Sequence, residues 1–171
     1  YHNRGYSYRK LGNFKNAIAD YSKALEIDPR HFKAFYNRAF SYDKMGDYKS
    51  AVSDYTSALK IDPKSTNSYH HRGGAYEKLN QMDKAISDWT RAIELNPKFS
   101  ACYTSRGLCF DRRERFEDAI KDFTSAIKLD PKNAILYYHR ASSLRSIGKY
   151  EEAVDDLNQS ILLNPNNANA Y

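Results

Sequence analysis

Two phrases 34 residues apart, Ile27-Asp28-Pro29 and Ile61-Asp62-Pro63, bracket the segment FKAFYNRAFSYDKMGDYKSAVSDYTSALK (residues 32–60). Inside it Phe35, Ala39 and Tyr42 are spaced by four and three, as are Ala51, Tyr55, Ala58 and Ile61, so each set marks one face of a helix. Gly46-Asp47 supplies the turn between the two helices, and Pro63 stops the second because its ring cannot continue a helical backbone. The segment therefore reads as helix A, turn, helix B, turn.

The same phrase recurs along the whole chain. Pro29, Pro63, Pro97, Pro131 and Pro165 are all five prolines, each preceded by Ile or Leu and then Asp or Asn, at a constant period of 34. Small residues keep that period in three columns, beginning at Gly5, Ala17 and Ala24. Large apolar residues keep it in four, beginning at Tyr1, Tyr8, Phe14 and Tyr21. A period of this length marks a stack of supersecondary units that bury their faces against their neighbours. The small residues allow close helix approach and the aromatics fill the intervening space.

This order of aromatic, small residue, Tyr, Ala, aromatic, Ala and Pro resembles the tetratricopeptide repeat (TPR) family. The resemblance covers residues 1–31 (a partial unit), 32–65, 66–99, 100–133 and 134–167, with the start of a sixth unit at 168–171. It implies an all-α fold, a right-handed superhelical solenoid of about ten antiparallel helices in one array, and a concave groove lined by helix A. Tyr1 and Tyr171 fall in one column, so the chain reads as a piece of a longer array whose exposed ends can self-associate.

One departure from the family pattern recurs. Arg4, Arg38, Arg72, Arg106 and Arg140 stand beside the first small column, where the family has Leu, and Asp20, Asp54, Asp88, Asp122 and Asp156 keep step with them. The expectation is a partly buried Arg–Asp ladder between a helix A and a neighbouring helix B that sets repeat register. Solvated charges that merely share the period are the alternative.

Chemistry-bearing residues are sparse. His70 and His71 are adjacent and diverge by about 100° on a helix. His71 and His139 share a column two repeats apart. Cys102 and Cys109, seven residues apart on one helix, would lie roughly 10 Å from each other, too far for a disulfide. They read as buried small hydrophobes. No phosphate-binding glycine loop is present, and Asn158-Gln159-Ser160 falls mid-helix. The chain is accordingly expected to be no enzyme, to hold no cofactor or metal, and to work in a reducing, cytoplasmic compartment. No hydrophobic run exceeds the five residues Ala134-Ile135-Leu136-Tyr137-Tyr138, so no membrane partner is expected.

The function left is binding of a protein or peptide. Of the 24 aromatics, those outside the structural columns are Tyr6, Phe32, Tyr36, Phe40, Phe99 and Tyr138. Phe32 and Phe99 lie at the turns and are assigned to stapling repeats. The resemblance implies that Tyr6, Tyr36, Phe40 and Tyr138 face the groove, with His70, His71, Leu108 and His139 in equivalent places and Lys33 and Asn37 nearby. Sideways packing of some of these rings on neighbouring helices is the alternative. Such a surface suits a peptide or helix with apolar anchors and some acidic character.

Two other readings carry less. A co-chaperone adaptor would need the carboxylate clamp of related grooves, and the set His2, Tyr6, Asn37, Asn67 and His71 matches it only at Asn37. RNA binding would need Lys and Arg concentrated on one face. The net charge of +6 instead falls along the repeats as +3, +2, +1, +1 and −1.

Overall fold

A computed structural model describes residues 1–165, and ten α-helices and no strand are found among them. The start of a sixth repeat at 168–171, with Tyr171, lies outside the described residues. The helices are α1 (His2–Lys10), α2 (Phe14–Ile27), α3 (Phe32–Lys44), α4 (Tyr48–Ile61), α5 (Thr66–Lys78), α6 (Met82–Leu95), α7 (Ser100–Arg112), α8 (Phe116–Leu129), α9 (Ala134–Ser146) and α10 (Tyr150–Leu163). They fall into two compact units, Tyr1–Leu95 with α1 to α6, and Asn96–Tyr171 with α7 to α10. Within each unit every odd helix packs on the even helix that follows it. The even helices α2, α4 and α8 pack in turn on the next odd one. Odd helices also touch each other, α1 with α3 and α3 with α5 in the first unit, α7 with α9 in the second.

Local chemistry sets the two kinds of turn. After helix B, Asp28 and Asp62 each accept a hydrogen bond at 3.0 Å, from the backbone N–H of Arg30 and Lys64, and Asn96 accepts from Lys98 at 3.1 Å. The side chain thus closes the turn around a proline that has already ended the helix. After helix A the backbone turns left-handed in one column: Gly12 (φ 75°), Gly46 (80°), Asn80 (57°), Glu114 (57°) and Gly148 (79°). In the first two repeats the next residue caps helix B, Asn13 accepting from Asn16 N–H at 3.2 Å and Asp47 from Ser50 N–H at 3.1 Å.

The first four pairs each set a small residue against a ring sixteen positions later, and the fifth sets Ala141 against Leu157. A Cβ added at Gly73 would lie 2.6 Å from Trp89 Nε1, one at Gly107 2.9 Å from Phe123, and one at Gly5 3.0 Å from Tyr21. Those rings and Tyr55 are fully buried. Trp89 is further held by donating from Nε1 to the His70 carbonyl at 3.1 Å.

The same sixteen-residue offset joins charge to charge. Nε and Nη2 of Arg4, Arg38, Arg72, Arg106 and Arg140 donate to the two carboxylate oxygens of Asp20, Asp54, Asp88, Asp122 and Asp156, at 2.6–2.8 Å throughout. All five aspartates are buried. The pairing is bidentate and lies inside one helix pair, from helix A to its own helix B. A third bond reaches the preceding pair: Nη1 of Arg38, Arg72 and Arg140 donates to the hydroxyls of Ser22, Thr56 and Thr124 at 2.8, 3.0 and 3.0 Å. Sequence reading did not single out this hydroxyl column.

Candidate peptide-binding surface

In the first unit the odd helices bring Tyr6, Tyr36, Phe40, His70 and His71 onto one surface. Arg9, a turn beyond Tyr6 on α1, is bracketed by rings from two helices: its guanidinium carbon lies 4.9 Å from the centre of Tyr6 and 5.0 Å from that of Phe40 on α3. Lys10 stands over Tyr6 at 5.5 Å and Lys44 over Phe40 at 5.2 Å. Cations and rings therefore alternate, in the order Lys10, Tyr6, Arg9, Phe40, Lys44. Each contact is a favourable cation–ring interaction.

The surface continues onto α5. Phe40 meets His71 edge-on at 5.8 Å, Tyr36 meets it edge-on at 5.9 Å, and the buried Tyr55 stacks beneath it at 6.0 Å. His70 lies 5.0 Å from His71. Tyr6 is 42 % exposed, and Tyr36, Phe40, His70 and His71 are half-buried. Phe32, at the first turn of α3, stacks on Tyr36 at 6.2 Å. Lys33 is exposed at the start of the same helix.

Asn37 departs from expectation. It is only 8 % exposed, and its Nδ2 lies 3.3 Å from His2 Nε2. One position after Tyr36, its side chain turns about 100° away toward α1, where His2 covers it. Asn37 belongs to the floor between two helices.

In the second unit Leu108 on α7 and Tyr138 and His139 on α9 are half-buried. His139 stacks on Phe123 at 5.7 Å and meets Tyr138 at 5.6 Å. Ser143 ties α9 to α7 by donating to Asp111 Oδ1 at 2.6 Å.

Burial tunes these groups. It lowers His70 to about 4 and holds His71 and His139 below the ordinary histidine value, so all three are neutral at pH 7. It raises Tyr36, and raises Tyr55 further. Asp43, half-buried, is also raised because desolvation outweighs the charges of Lys44 and Lys78. The Cys102 thiol is pushed up to about 12, and both cysteines are free and buried. Among the described residues no cluster of three or more His, Cys, Asp or Glu is placed to hold a metal ion, and no helix is long and apolar enough to cross a membrane.

Sequence reading missed Arg9 and Lys10. A signal was present: Tyr6 and Phe40 are 34 residues apart, hence at one repeat position on neighbouring odd helices, and Arg9 follows Tyr6 by one turn.

A family model for the tetratricopeptide repeat matches residues 1–31, 32–65, 66–99, 100–133 and 134–167. No curated protein matches the chain significantly. Among solved structures the chain is similar to MamA, at 24% identity and a TM-score of 0.91 over 96% of each chain. It is also similar to YrrB, a TPR protein with an unusual peptide-binding site, at 24% identity and a TM-score of 0.86 over 99% of this chain and 87% of that one. A third likeness is to MamA from Desulfovibrio magneticus RS-1 (41 to the end), at 19% identity and a TM-score of 0.89 over 97% and 94%. At such identities the likeness is one of fold. The five repeat matches tile residues 1–167 in the frame of the proline column, and the chain belongs to the tetratricopeptide repeat family.

Proposed function

We propose that this array, a protein–protein interaction scaffold by family, takes an extended peptide or partner helix on the odd-helix surface of its first unit. The observation that carries the reading is the cluster of Tyr36, Phe40 and His71, half-buried rings from α3 and α5 that meet at 5.8–5.9 Å. Rings held this way offer apolar contact area with little rotamer entropy left to lose. The cations on either side favour a ligand with acidic residues. YrrB, a protein of similar fold, carries a peptide-binding site, which agrees with this use of the scaffold. Tyr138, His139 and Leu108 make a smaller surface of the same kind in the second unit. The role is non-catalytic and needs no cofactor, and two free, buried cysteines suit a reducing, cytoplasmic compartment.

A carboxylate-clamp adaptor is set aside, because Asn37, its one matching residue, is buried against His2.

The test is selection of a random twelve-residue peptide library on the wild-type protein, followed by fluorescence anisotropy of the selected peptides. A Tyr36→Ala/Phe40→Ala variant, shown by thermal melt to be folded, should bind them at least tenfold more weakly. Equal binding by both proteins would move the site to another surface.

A further inference from the structure

Arg9 differs from the ladder arginines in what surrounds it. Each of those five has a carboxylate on two of its nitrogens. Arg9 has a ring on either side, Tyr6 at 4.9 Å and Phe40 at 5.0 Å, and its Nε is buried with no hydrogen-bond partner among the described residues. Neither it nor Lys10 or Lys44 pairs with a carboxylate there. Below lie two fully buried phenols: the Tyr21 hydroxyl is near enough to Arg9 for a loose hydrogen bond and feels its charge, and the Tyr55 hydroxyl lacks a partner and feels the same charge.

A guanidinium between two rings loses water from both faces and keeps its edge, with the paired N–H donors, as its one outlet. A charge stripped of water and given no counter-ion carries a desolvation cost that an incoming anion relieves. The edge of the guanidinium matches a planar carboxylate. The row also contains two more unpaired cations, each over one of the same rings. A peptide's C-terminus brings a single carboxylate, whereas three cations in a row call for several, so the complementary ligand is a run of acidic side chains.

We propose that the edge of Arg9, between Tyr6 and Phe40, is a subsite for an Asp or Glu side chain of an acidic peptide segment, with Lys10 and Lys44 taking flanking carboxylates. This rests on the peptide-binding reading above and names its ligand. An apolar residue of the same segment falls on the neighbouring Phe40, Tyr36 and His71.

The test uses the full chain and C-terminally amidated peptides selected on the wild type from the random twelve-residue library. The selected peptides are expected to be enriched in Asp and Glu. Arg9→Gln, with an unchanged melt, should weaken their binding about tenfold, the loss of a charge-assisted bidentate contact. Changing one peptide Glu to Gln should cost the wild type the same factor and cost Arg9→Gln little. Arg9→Lys should fall between, because it keeps the charge and loses the planar fork. Three results overturn the proposal. Peptides bound through Tyr36 and Phe40 without acidic enrichment, and indifferent to Arg9→Gln, would leave the groove reading standing and remove the subsite. Dependence on a free peptide C-terminus, or Arg9-dependent binding of a single-stranded RNA oligomer in place of the peptides, would assign Arg9 to another ligand. No peptide selected above background would remove both readings.

Discussion

Arg72 and Asp88 face each other across one helix pair with both carboxylate oxygens engaged, Nε to Oδ2 at 2.7 Å and Nη2 to Oδ1 at 2.8 Å. The arginine side chain is only 16% exposed, so removing one member strands the other where water reaches it poorly. Arg72→Ala is expected to cost about 3 kcal/mol in urea denaturation. Arg4→Ala, with the same geometry but an arginine side chain 61% exposed, is expected to cost clearly less, because water can reach Asp20 once that exposed side chain is gone. Equal losses would mean that burial does not govern the ladder.

Neighbouring glycines give opposite outcomes. A methyl group at Gly73 lands 2.6 Å from Trp89 Nε1, and that ring is pinned by its bond to the His70 carbonyl. Gly73→Ala should destabilise by about 2 kcal/mol through overpacking. Gly74 has nothing within 4 Å of the added methyl. Gly74→Ala should stabilise α5 by up to about 1 kcal/mol. Thermal melts of the two variants shifting the same way would contradict the interlock.

Glu114 holds a left-handed backbone (φ 57°) where three other repeats have glycine. That conformation brings the Cβ of an ordinary residue close to its own backbone. Glu114→Gly should therefore stabilise by about 1 kcal/mol, and Gly46→Ala, at φ 80°, should destabilise by a similar amount. Denaturant midpoints of the pair check it.

Acidification should weaken the fold before the carboxylates titrate. An unfolded histidine takes its proton near 6.5, whereas burial holds folded His70 at about 4 and His71 below its ordinary value. Between these values the unfolded chain binds protons that the folded one refuses, so stability falls as pH falls through that window. Tm should drop between pH 7.5 and 5, and His70→Gln should flatten the slope. A constant Tm over this range would show that the buried histidines are not coupled to folding.

The fold was readable because each structural demand repeats. Five copies of one Pro, one Arg and one Asp per 34 residues leave a column that no single copy would reveal. The Ser22, Thr56 and Thr124 contacts were missed because a lone hydroxyl on a helix reads as solvated, and only the third nitrogen of the guanidinium shows its use. The surface was harder still. Binding residues vary from repeat to repeat, so periodicity cannot mark them. Asn37 was placed on the open side because one helical step, about 100°, separates exposed from covered. Tyr36, Phe40 and His71 do meet, yet the cation between Tyr6 and Phe40 was lost in a chain with 27 Lys and Arg.

The arginine ladder also sets how this protein yields to mechanical load. Arg38 holds its own helix B by two charged bonds and the preceding helix B by one bond to a hydroxyl. The joints between pairs are thus softer than the joints within them. Under tension the first unit is therefore expected to give way a helix pair at a time, each rupture releasing one repeat of slack.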